Sequence, residues 1–144
     1  MKIQLNKCMR LILFSYLGAC LMSFGYSQQT TTIDLTWTYT YMKAHAGKQD
    51  DLKEIIIQNW FKMDSVAVEQ GLIKSYELIE NLDESESREW DFIVAVEYFT
   101  RETYADIAEA FGQIRSAHQT VKVNGLTFPE AGQVVKSEVV KKVR

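Results

Sequence analysis

The chain has 144 residues, 47% of them hydrophobic, with 16 Lys and Arg against 19 Asp and Glu, two Cys and a single Pro. That length suits one domain with a real core, since domains commonly run to about 100–150 residues. Ordinary shares of charged (24%) and aromatic (12%) residues argue against a disordered, collagen-like or disulfide-stapled chain, and a formal net charge of -3 against broad binding of nucleic acid.

The first 27 residues read as an export signal. Lys2, Lys7 and Arg10 make a basic start, Leu11 to Phe24 carry no charge, and Gly25 and Ser27 put small residues three and one before a cut ahead of Gln28. The uncharged run is shorter than the ~20 residues that a membrane span needs. The expected destination is therefore the periplasm or the medium. Leu17-Gly18-Ala19-Cys20 also resembles a bacterial lipobox, which would leave the chain acylated at Cys20 and held at a membrane; Leu21, Met22 and Phe24 continue the apolar run where a lipoprotein turns polar. Cleavage before Gln28 removes three basic residues and no acidic ones, leaving 117 residues with 13 basic against 19 acidic, a net charge of -6. Cys8 and Cys20 leave with the signal, and with them any disulfide, thiolate or Cys metal site.

Residues 28–32 (QQTTT) read as a disordered leader, and residues 33–144 as one domain. Ile33, Leu35, Trp37, Tyr39 and Tyr41 alternate with Asp34, Thr36, Thr38 and Thr40, the period of a strand. The period then changes. Leu52, Ile56, Trp60, Met63 and Ala67, widened by Ile55 and Val66, make an amphipathic helix that ends at Gly71. A second strand is expected over residues 72–82, an acidic loop over 83–89 and a third strand over 90–98, whose middle is apolar on both faces and so central in a sheet. Thr100 is the expected N-cap of a second helix bearing Tyr104, Ile107, Ala108, Phe111, Ile114 and Arg115 and running to about His118. Asn124-Gly125 signals a small hairpin near residues 121–128. Residues 133–143 are Val-rich, with Lys136, Lys141 and Lys142 suited to an exposed sheet edge.

The order is β, α, β, β, α, β. Two right-handed crossovers and a hairpin make an α+β fold, the ferredoxin-like plait: a four-stranded antiparallel sheet with two helices on one face. Tyr39-Thr40-Tyr41 opening into a long helix, Gly71-Leu72-Ile73-Lys74-Ser75-Tyr76 after it, and the run from Trp90 to Tyr98 before a Thr-capped helix resemble the dimeric α/β-barrel superfamily, which includes antibiotic-biosynthesis monooxygenases and stress-responsive barrel domains. The resemblance covers Ile33 to Arg115 and the last strand, and none of these features is a catalytic signature. It implies a homodimer in which two sheets face each other, with a pocket between helices and sheet in each subunit. Some members oxidise aromatic substrates without a metal, and others bind or degrade haem.

The residues themselves name no reaction. There is no Gly-x-Ser-x-Gly elbow, Walker loop, Gly-x-Gly-x-x-Gly turn or His-x-x-x-His pair, and no metal site is expected. Asp83, Glu84, Glu86 and Glu89 lack EF-hand spacing and read as a solvated loop. His118 is accounted for by the helix C-terminus it ends. Glu77 and Glu97 fall inside strands, and Glu97 shares a face with Asp91, Ile93 and Ala95. The candidate proton-transfer residues are His45, Tyr76 and Tyr98; Tyr41, Trp60, Tyr76 and Tyr98 are the candidate ligand contacts, because a buried aromatic with a polar tip both packs and points. Two readings follow. One is a barrel that binds a small apolar or aromatic molecule, or is purely structural, with no cofactor. The other is a cofactor-independent monooxygenase or haem-handling enzyme using the same pocket. Orientation separates them: His45, Tyr76 or Tyr98 converging on a helix–sheet cavity favours chemistry, and a cavity filled by Trp60, Phe92 and Phe111 disfavours it.

Overall fold

Alternation carries the chain into a first strand, β1 (Thr36–Ala44), whose middle residues pair on both sides. The computed structural model describes residues 36–83, 85, 87–99 and 103–141, within one compact unit that spans Ile33–Arg144. The expected signal, the lipobox Cys20, the leader, Ile33 to Leu35 and Thr100 lie outside the described residues. No helix among the described residues is long and apolar enough to cross a membrane.

After the turn at Gly47, α1 (Gln49–Ile55), a π-helical turn (Ile56–Trp60) and α2 (Phe61–Glu69) run on as one helix. The π turn has a geometric use. An ideal α-helix drifts by about 60° between Leu52 and Ala67, and the slower winding of a π turn takes that drift up, so both residues stay on the buried side. Gly71, at φ +70°, ends the run, as its place in the sequence indicates. Then come β2 (Ser75–Glu80), β3 (Phe92–Tyr98), α3 (Tyr104–Ala117), α4 (Phe128–Ala131) and β4 (Gly132–Lys141). Thr103 caps α3, its backbone N–H and hydroxyl both donating to the Asp106 carboxylate (2.8 and 3.1 Å). The Asn124-Gly125 hairpin is a single bridge, Val123 to Leu126, and the Pro129 region forms the short helix α4.

The four strands form one antiparallel sheet in the order β2-β3-β1-β4, an order compatible with the plait. Register decides the faces, because paired residues share a side. Ser137, Thr40, Val94 and Leu78 make one row across the sheet, and Val139, Thr38, Val96 and Tyr76 the next, both towards the helices. Lys136, Tyr41, Ile93 and Ile79, then Glu138, Tyr39, Ala95 and Glu77, make the opposite face. Beneath the helices, Leu52, Ile55 and Ile56 pack on Met42, Phe92 and Val94, while Ala67, Ile107, Phe111 and Ile114 pack with Ile73 and Tyr98.

Candidate functional site

The helices do not cover their face of the sheet evenly. Over β2 and β3 the sheet presents Tyr76, Leu78 and Phe92, which fill the space beneath the helices. Over β1 and β4 it presents Thr38, Thr40 and Ser137, whose short side chains leave a cavity of about 480 Å³. Trp60, Met63 and Asp64 reach it from the long helix, Ile107 and Phe111 from α3, and Val94, Val96 and Tyr98 from β3. Tyr104, Arg115 and Ser137 are exposed lining residues and mark its mouth. At that mouth Arg115 Nη2 donates to the Tyr104 hydroxyl (2.5 Å), and its guanidinium lies 5.9 Å from the Phe111 ring centre.

The lining is mostly apolar, which makes its polar members informative. Asp64 is only 6% exposed and makes no hydrogen bond among the described residues. Burial alone pushes its carboxyl up to about 7, so it exchanges its proton near neutrality. The Thr38 hydroxyl is buried with no hydrogen bond of standard geometry. Tyr98 links the two: burial raises its phenol, the Thr38 hydroxyl beside it pulls the other way, and the Asp64 charge raises it further. A buried polar group left unpaired costs about 1–3 kcal/mol, and native folds keep few of them.

Two of the residues singled out from sequence, Trp60 and Tyr98, line this cavity. Trp60 also stacks on Phe128, ring centres 5.5 Å apart. Tyr76 lies on the same face but is spent in the core, edge-on to Phe61 at 4.7 Å. Tyr41 is on the opposite face, edge-on to Trp90 at 5.8 Å and with Lys136 Nζ 4.3 Å from its ring centre. His45 sits in the turn after β1, where its Nε2 meets the Pro129 carbonyl oxygen (3.2 Å) and its backbone N–H donates to Ala131. His118 meets Asn59 Oδ1 (3.1 Å). Neither histidine lines the cavity. Glu97 lies with Ile93 and Ala95, as the alternation indicates, and is held by Lys74 (3.0 Å) and Ser75 (2.7 Å). Among the described residues no three His, Cys, Asp or Glu side chains form a group able to hold a metal ion.

Asp64 was not picked out by sequence reasoning. Its signal was positional: an acidic residue four after Trp60 and three before Ala67 falls inside the apolar stripe. No family model matches the chain, and no curated protein and no solved structure is detectably similar to it.

Proposed function

We propose that this chain is an exported, homodimeric α/β-barrel protein that binds a small, mainly apolar or aromatic molecule between its helices and its sheet. The observation that carries this reading is the cavity, open at about 480 Å³ rather than filled by Trp60 and Phe111. Sites for small molecules are concave, largely apolar and furnished with a few placed polar groups, and the lining here has that composition. The signal-like first 27 residues support export, and association with a membrane would need acylation at Cys20. Tyr39 and Tyr41, half-buried on the far face of the sheet, support pairing with a second copy.

Titration with naphthalene, followed by methyl NMR, tests the binding reading. The expected result is shift changes confined to Met63, Ile73, Val94, Val96 and Ile107; changes spread over the surface, or none, would count against it.

The enzyme reading draws on one further observation: the buried titratable groups facing the cavity are Asp64 and Tyr98. Proton removal from a bound aromatic, as cofactor-independent oxygenation requires, would then fall to Asp64 rather than to His45. The haem alternative would have to take its axial ligand from Met63, Tyr98 or Tyr104, since the lining holds neither a histidine nor a cysteine. Oxygen uptake on adding a phenolic substrate separates catalysis from binding alone.

A further inference from the structure

The binding reading leaves open what a ligand presents to the cavity, and two polar groups of its lining bear on that question. Asp64 offers carboxyl oxygens from α2, and Thr38 offers a hydroxyl from the sheet floor, with Tyr98 adjoining both. Around them stand the apolar side chains of Ile73, Val94, Val96, Ile107 and Phe111, with Trp60 and Met63 beside them. A bound molecule therefore has an apolar body and at least one polar group aimed at this corner.

Charge narrows the class. An anionic ligand group would face the Asp64 carboxylate without water between them. A cationic one would share the cavity with the Arg115 guanidinium at the mouth. A neutral hydroxyl meets neither objection. Its oxygen can donate a proton to Asp64 and accept one from Thr38, the two roles these side chains leave to a ligand. Building on the binding reading above, we propose that Asp64 and Thr38 form the polar recognition corner of the cavity and that its ligand is a neutral aromatic bearing a hydroxyl, of the phenol class.

The proposal has a pH signature. The groups that face Asp64 across the cavity are Tyr98 from β3 and Tyr104 and Arg115 from α3, while β1 and β4 contribute only the hydroxyls of Thr38, Thr40 and Ser137. Burial holds the Tyr98 phenol above its ordinary value, clear of the window between pH 6 and 8. Asp64 changes in that range, and a hydroxyl bonds more strongly to a carboxylate than to a carboxylic acid.

The test compares 2-naphthol, naphthalene and 2-(aminomethyl)naphthalene on the full chain, with affinities read from methyl NMR titrations. At pH 8 naphthol binds about tenfold or more tighter than naphthalene, the scale of one hydrogen bond to a charged group. Its advantage shrinks towards pH 6. Asp64→Asn and Thr38→Val each remove most of that advantage of naphthol over naphthalene. Equal affinity for naphthol and naphthalene, a preference that survives Asp64→Asn, or tighter binding of the ammonium probe overturns the hydroxyl proposal and leaves the cavity as an apolar site. Binding of none of the three overturns both. Should Asp64→Asn fail to fold, the wild-type comparison at pH 6 and 8 decides, and a preference that does not change with pH sinks the proposal.

Discussion

Removing the charge from Asp64 should stabilise the protein, and the more so as the pH rises. In the folded chain this carboxyl is held at about 7, above the value of an unfolded aspartate. Below about pH 4 both states carry the proton and the difference vanishes. Between about pH 4 and 7 the folded state alone keeps it, so stability falls with each unit, and above 7 the full penalty of about 4 kcal/mol remains. Urea unfolding should therefore find Asp64→Asn more stable than wild type at pH 8, with the gap closing towards pH 4; a gap that stays constant would show that the carboxyl is not buried in this way. Asp91 has the opposite sign. Burial alone would raise it, but the Ala44 N–H (2.7 Å), Arg88 and Lys43 (3.5 Å) outweigh burial and hold the carboxyl below its usual value. Its contribution is complete above the unfolded value and is lost as the pH falls through the depressed one. Asp91→Asn is expected to cost about 3 kcal/mol at pH 7 and little at low pH. Gly132 is a third single-residue constraint, since a Cβ there would lie 2.6 Å from the Lys43 carbonyl oxygen and 2.8 Å from Leu52. Gly132→Ala should cost about 1–3 kcal/mol in the same assay. The roles of Asp91 and Gly132 were not legible in the sequence, because each depends on a partner distant along the chain, Ala44 and Leu52; Asp64 showed only its place inside the apolar stripe, not the cavity it faces.

Elements were more legible than residues, and the boundaries show why. Periodicity located the long helix, both central strands and α3, because burying one face imposes that period directly. The π turn left no separate mark; it keeps the buried face aligned, so the stripe reads as one unbroken helix. β2 is shorter than its apolar run, since Leu72 and Ile73 enter the core before the ladder starts at Ser75. Within the π turn, Asn59 joins two elements. Its Nδ2 donates to the Ile55 and Val121 carbonyls (2.9 and 3.0 Å), and its Oδ1 accepts from the Val121 N–H (2.8 Å). This ties the segment after α3 to the long helix. Asn59→Ala is expected to destabilise the protein by about 2 kcal/mol and to release the Val121 amide to fast hydrogen exchange while the β3 amides stay protected. Loss of protection throughout would instead mark Asn59 as part of the global core.

At the scale of the molecule, alternation divided β1 correctly into an aromatic side and a threonine side, yet it could not say which side receives the helices. The threonine side does, and the cavity is the consequence: bulky residues there would have filled it. The aromatics are consequently on the far face, where Trp37, Ile93 and Ala95 belong to neither of the clusters that the helices build with the sheet. If two copies pair through that face, as proposed, charge placed on it should separate them without unfolding either. Ile79 suits the purpose, being on that face at the β2 edge and 36% exposed. Val139, 60% exposed in the row shared with Thr38 on the helix side, serves as the control. In sedimentation equilibrium at tens of micromolar the wild type is expected to be a dimer, Ile79→Lys to dissociate about tenfold or more readily, and Val139→Lys to match the wild type. A wild type that sediments as a monomer would remove the barrel-type pairing but not the cavity, since every residue lining it comes from one chain.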